Sequence, residues 1–416
     1  MSPESEVDLP GEALLPGALP EALRAELVAF RRDLHMHPEL GNQEFRTTAA
    51  IKERLEKAGL APRVLPAGTG LICDIGIGGG AQPDGPGGPA GSAILALRAD
   101  IDALPIPDTK SECPYRSTVP DRAHACGHDV HTTVVLGAGL VLAELHRQGL
   151  LPRPVRLIFQ PAEEVLPGGA AEAIEAGALD GVHRILAVHC DPRVDAGRIG
   201  LREGPITSAC DRLEIALDGP GGHTARPHLT TDLVTAVARV VTDVPALVAR
   251  RVDSRSGLAV TWGRIESGHA PNVIPQHAEL AGTVRCLDLD AWRQAPDVVV
   301  AAIDEIANLH RAKSEITYVR GVPPVVNHPV ATELLRQAMT ARRGADAIEG
   351  TEQSLGGEDF SWYLERVPGA MARLGVRPPG ERTIRDLHQG DFDVDEHAIT
   401  VGVELFTAAA LLDALG

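Results

Sequence analysis

Val155-Arg156-Leu157-Ile158-Phe159-Gln160-Pro161-Ala162-Glu163-Glu164 joins a strand to a pair of acids. Residues 155–159 form an apolar run of strand length, and two acids follow within a turn of its carboxyl end, where α/β sheets carry their active sites. Adjacent carboxylates repel, so they are costly together unless a cation sits beside them. One can then ligate the cation while the other takes a proton from water.

Further strand-like runs lie at 93–98 and 185–189, separated by helical stretches such as 129–147. Residues 21–35 and 47–58 read as helices, with Thr47 or Thr48 as cap of the second and Gly59 as its stop. Strand, helix, strand in that order predicts an α/β fold, a central and mostly parallel sheet flanked by helices. The Gly- and Pro-rich residues 76–91 read as a surface loop. Between 204 and 320 the order becomes strand (213–217), helix (231–250), two pairing strands (258–265 and 279–285), helix (291–310) and strand, a ferredoxin-like α+β sequence. Helix and strand patterns then return and end in a helix at 396–415. The expected organisation is a tail at 1–20, a discontinuous metal-binding catalytic domain at 21–203 and 321–416, and an inserted domain at 204–320.

Composition narrows the function. A chain of 416 residues with 44% hydrophobic and 23% charged residues is globular and suits two domains. Its formal net charge of −18 repels phosphate backbones and anionic lipid, so neither nucleic acid nor membrane is expected as a partner. No stretch approaches the roughly eighteen uninterrupted apolar residues of a membrane helix. The first twenty or so residues carry Glu and Pro where a signal peptide needs a basic start and an apolar run, which predicts a disordered tail and a cytoplasmic protein. Six scattered cysteines without a CxxC pair argue against a disulfide framework or zinc knuckle.

The densest polar constellation is His124-Ala125-Cys126-Gly127-His128-Asp129-Val130-His131, just ahead of an apolar helix. Thiolate and imidazole suit borderline-soft divalent ions, and Gly127 permits the tight turn that lets Cys126 and His128 face one point. His189 ends another apolar strand, and the company of Cys126, His128 and Glu164 marks it as a ligand. In Arg98-Ala99-Asp100-Ile101-Asp102-Ala103-Leu104-Pro105 two aspartates on alternate positions face one side, placed to orient a ligand histidine from behind. Asp386-Leu387-His388 and the acids 391–396 precede the final helix, where Asp395 reads equally well as its cap.

Together with His37-Pro38-Glu39-Leu40-Gly41, Glu44 and Thr47, and with Gly356-Gly357-Glu358-Asp359-Phe360, these stretches resemble the amidohydrolase branch of the dinuclear zinc peptidase and aminoacylase superfamily. That branch includes hippurate hydrolases, N-acyl-amino-acid amidohydrolases and plant auxin-conjugate hydrolases. The resemblance implies Cys126, His128, Glu164, His189 and His388 as ligands of two divalent ions (zinc, manganese, cobalt or nickel), with Cys126 bridging. It implies Glu163 as general base and Asp102 as the acid that steadies the metal site. Asp100 stands where other branches carry a ligand histidine and has no assigned role. Gly219 to His228 resembles a dimerisation segment whose histidine, His223, reaches a partner's active site in a homodimer. Asn272 and Arg285 match positions that hold a substrate carboxylate; Arg285 could equally pair with a surface acid. Arg122-Ala123 stands where the family has Met or a similar residue, and the Gly-rich loop is longer, but neither touches a proposed ligand.

The expected reaction is cleavage of the amide of an N-acyl amino acid or similar small conjugate by metal-activated water. Two other readings fit the same residues: a hydrolase with Cys126 as nucleophile, and a metal-loaded binding protein without catalysis.

Overall fold

Two separate hydrophobic cores organise the chain. The computed structural model describes residues 17–77 and 93–413, so the tail reading for 1–16 and most of the loop at 76–91 lie outside the described residues. The chain divides into two units. One comprises Met1–Gly204, Asn327–Glu352 and Trp362–Gly416, the other Pro205–Val326 and Gln353–Ser361.

The first unit is built on an eight-stranded sheet. Its four central strands, in spatial order Val155–Gln160, Ile94–Asp100, Val182–Asp195 and Gly369–Arg377, are parallel. They are apolar along most of their length because both faces are covered, which is the rule for parallel strands. Outside them the sheet becomes mixed: Leu71–Ile75 runs antiparallel to Val155–Gln160, and Ile199–Leu201 antiparallel to Gly369–Arg377. Register sets the level of the functional residues. Asp100 lies opposite Gln160, and Arg98 opposite Ala187, so Asp100, Gln160 and His189 share one level of the sheet.

The strand carrying His189 is longer than its apolar run suggests. It continues through Asp195, because Asp195 still pairs with Arg377, and His189 therefore stands in mid-strand rather than at its end. The second helix also begins earlier than expected. It spans Phe45–Lys57, and neither Thr47 nor Thr48 caps it; the Glu39 carboxylate accepts from the Arg46 and Thr47 N–H groups instead. Gly59, at φ +79°, follows its end.

The first helix, Glu21–Met36, is locked down by charge. Arg31 is fully buried, with Nε 2.7 Å from Asp129 Oδ2, and Asp393 and Glu396 lie 3.5 and 3.4 Å from its guanidinium. His35 Nδ1 also lies 2.7 Å from the same Asp129 oxygen. Removing one partner of such a buried pair costs about 3–5 kcal/mol, so this knot fixes the start of helix His128–Arg147 against the first helix and the segment before the last.

The second unit holds four antiparallel strands in the spatial order Ala259–Ser267, His277–Cys286, Ala209–Asp218 and Lys313–Val322. Strand Ala209–Asp218 alternates buried and less buried positions, the mark of a sheet covered on one face. Helices Leu233–Arg251 and Leu289–Leu309 supply the cover through Val237, Val240, Val244, Val299 and Ile303. Each starts at an aspartate, Asp232 or Asp288, whose carboxylate accepts a first-turn N–H. Among the described residues no helix is long and apolar enough to cross a membrane.

Candidate metal centre

The site grows from chain segments that leave the sheet at one level. Gly127, at φ +87°, makes the turn into helix His128–Arg147, and a Cβ there would meet Cys190 Sγ at 2.6 Å, so conformation and space both require glycine. This turn puts Cys126 and His128 side by side. His388 arrives from far along the chain, also at positive φ, and its N–H donates to the Ala125 carbonyl at 2.8 Å, which ties its loop to the Cys126 loop.

Potential ligand atoms within 4.8 Å of one another form two groups that share the thiol: Cys126 with His128 and His189, and Cys126 with Glu164 and His388. A third group joins His128 with Glu163 and Glu164. Cys126 Sγ is 3.5 Å from His189 Nε2, and Glu164 Oε1 is 3.3 Å from His388 Nε2 and 3.8 Å from His128 Nε2. Glu163 Oε2 lies 4.0 Å from His128 Nε2.

The atoms behind these groups turn lone pairs toward them. His128 Nδ1 donates to Asp102 Oδ1 at 3.2 Å, and the other Asp102 oxygen accepts the Glu164 N–H at 3.0 Å. His189 Nδ1 donates to the Cys190 carbonyl at 2.8 Å. His128 Nε2 and Glu164 Oε1 are buried without a hydrogen-bond partner among the described residues. Burial pulls the His128 pKa down, but Asp100, Asp102 and Glu164 outweigh it and raise the imidazole to about 10. Burial, reinforced by Arg373, pushes His189 well below the usual imidazole range, leaving it neutral. Negative charge in excess around the His128 ring, which draws a proton there when no cation is bound, in the company of a thiol, imidazoles and carboxylates, fits divalent cations of the zinc type.

Asp100, unassigned from sequence, is fully occupied. Oδ2 takes a 2.6 Å bond from buried Arg98, and Oδ1 takes one of 2.6 Å from His131 Nδ1. His131 Nε2 in turn accepts the Cys190 N–H at 2.8 Å, which fixes the proton on Nδ1 and leaves the ring no lone pair for a metal. The chain of contacts therefore braces the peptide after His189. The one signal for it in the sequence is His131 one turn after His128.

The remaining sequence-read residues lie in the second unit. His223 is exposed, in the short strand Gly222–His223, which pairs with Val273–Ile274, and its Nδ1 accepts the Ala225 N–H at 3.0 Å. Asn272 is next to that pair, and its carbonyl accepts the Thr224 N–H at 3.2 Å. Arg285 bonds the Leu355 carbonyl rather than a surface acid. The motif at 356–360 belongs to this unit's second segment.

A mostly parallel α/β sheet with thiol, imidazole and carboxylate donors gathered at one level is the framework of a metal-binding protein. The chain belongs to peptidase family M20/M25/M40, whose model matches residues 96–412. An N-acetylcysteine deacetylase of Bacillus subtilis is 36% identical over 94% of this chain and 98% of its own length. A Rhodococcus jostii protein named as a glutamate–cysteine ligase is 46% identical over 93% of this chain, which spans only 47% of that protein. A solved Bacillus subtilis structure, described as a dinuclear metal-binding peptidase of the M20 family, matches with a TM-score of 0.80 at 32% identity, covering 95% of this chain and 99% of that one.

Proposed function

We propose that the chain is an N-acyl-amino-acid amidohydrolase, with Cys126, His128, Glu164, His189 and His388 holding two divalent ions and Glu163 acting as general base. The observation that carries this reading is the second carboxylate. A binding site needs ligands only, whereas here Glu163 stands beside Glu164, 4.0 Å from a ligand imidazole. When bound, the ions would polarise the amide carbonyl and acidify water. Glu163 takes the proton of the attacking water and returns it to the departing amine. Asp102 holds both His128 and the Glu164 backbone in place. In a homodimer, His223 from a second copy stabilises the developing oxyanion, while Asn272 and Arg285 hold the substrate carboxylate.

Acyl-cysteines head the substrate class, since a relative similar along nearly its full length is named N-acetylcysteine deacetylase. Ligase chemistry does not carry over, because that name describes a protein of which this chain matches less than half. Release of acid from acetyl-, benzoyl- and long-acyl amino acids, N-acetylcysteine included, is the test. At least one should turn over in the usual enzymatic range of about 1 to 1000 per second. Metal-loaded protein that hydrolyses none of them overturns the N-acyl-amino-acid assignment. The shared site has its own check: His223→Ala should lose activity, and mixing it with Glu163→Gln under subunit exchange should restore part of it. No restoration in exchanged dimers removes His223 from the mechanism.

One contact favours a rival. Cys126 Sγ and His189 Nε2 are 3.5 Å apart, a thiol and imidazole within reach as in cysteine hydrolases. That reading gives Glu164 and His388 no task, and dependence on metal separates the two.

A further inference from the structure

The early motif running from His37 to Glu44 has no part in the mechanism above, yet it reaches the turn that carries the base. An acid just ahead of a helix ordinarily caps it. At helix Phe45–Lys57 that task falls to Glu39, whose carboxylate accepts from Arg46 and Thr47. Glu44 instead turns inward and is fully buried. Its Oε1 accepts the Ala162 N–H at 2.8 Å, and its Oε2 has no hydrogen-bond partner among the described residues.

Ala162 is a residue with a Cβ held at φ +56°, in the left-handed region that side chains disfavour. Such a conformation persists only where its surroundings fix it. Three contacts do so. Glu44 holds the Ala162 N–H, Gly169 donates to the Ala162 carbonyl at 3.1 Å, and Asp102 holds the Glu164 N–H at 3.0 Å. Gly41 comes so close that a Cβ there would meet Ala162 Cα at 3.1 Å. The N–H groups of the residues before and after Glu163 are thus pinned by two different carboxylates.

We propose that Glu44 is a positioning residue for Glu163, its side-chain oxygen holding the left-handed turn at Ala162 so that the base is set beside the ligand cluster. The proposal rests on the reading of Glu163 as base. What matters is an acceptor at the right reach rather than a charge. Burial, with a smaller push from Asp102, brings the Glu44 carboxyl up to about 7 against the pull of backbone N–H groups, so its neutral form is accessible in the ordinary working range. Either form presents an oxygen to Ala162.

Reach and charge separate in two conservative variants of the full-length protein. Glu44→Gln keeps the reach and drops the charge. Glu44→Asp keeps the charge and draws the oxygen back by one methylene. Glu44→Gln is expected to stay within about threefold of wild-type kcat. Glu44→Asp should lose at least tenfold in kcat, with KM within threefold and two metal ions per chain by elemental analysis. Melting temperature monitors folding of both. The role is overturned by Glu44→Asp at wild-type kcat, by Glu44→Asp losing its metals, or by a tenfold loss in Glu44→Gln; either variant alone suffices. Glu163→Gln run in parallel keeps the two claims apart. An inactive Glu163→Gln beside a fully active Glu44→Asp removes Glu44 alone, whereas a fully active Glu163→Gln removes the base assignment beneath it.

Discussion

Glu163→Gln should lower kcat by about 10²–10⁴-fold, the usual worth of a positioned general base, while two metal ions per chain remain bound. The substitution is nearly isosteric, and it leaves the backbone bonds from Ala162 to Glu44 and from Glu164 to Asp102 untouched. The ligand groups containing Cys126 also stay whole, because neither of them includes Glu163. What disappears is the site that takes the proton of the attacking water. KM should move little, since the loss falls on the transition state rather than on the bound substrate. Steady-state kinetics with elemental analysis of the same preparation checks both halves. Near wild-type turnover ends the assignment, and loss of metal along with activity would mark Glu163 as a ligand instead.

Chelation is expected to have the other large effect. Stripping the metal should reduce amide hydrolysis to background, and zinc, manganese or cobalt should restore it, the most effective ion naming the working metal. The protein should stay folded through the cycle, since each unit has its own large hydrophobic core and, of the five proposed ligands, Cys126 alone belongs to one. Binding to the native state alone still raises stability, by about 2.7 kcal/mol at a free concentration one hundred times Kd. A rise in melting temperature on reloading therefore reports occupancy independently of catalysis. Activity that survives complete removal of metal would revive the thiol reading built on Cys126 and His189.

What the sequence made legible was what lies close along the chain. The run into Glu163 and Glu164 and the cluster around Cys126 and His128 each announce a strand or helix end with its chemistry, and the sheet class follows from their order. Apolar runs say that a strand is buried without naming its neighbour, so the antiparallel margins of the sheet were not visible. The proline and charges after Cys190 hid the continuation of the strand to Asp195, which exists because Arg377 is there to pair with it. The braces of the site were hidden for the same reason. Glu44 meets Ala162, and Asp129 meets Arg31 and His35, only after the fold has closed separations of about a hundred residues. Asp100 was in view as an acid on the right face, but its partner His131 reads as one more histidine in a crowded motif.

Strand Gly369–Arg377, translated near the end, occupies an interior place in the sheet between Val182–Asp195 and Ile199–Leu201. During synthesis the edge of Val182–Asp195 must therefore wait with unpaired amides and carbonyls while the whole second unit emerges from the ribosome. Bare strand edges of this kind recruit other chains. A nascent polypeptide stalled before residue 369 carries a half-built sheet, and it is there, rather than in the finished molecule, that this architecture is most open to aggregation.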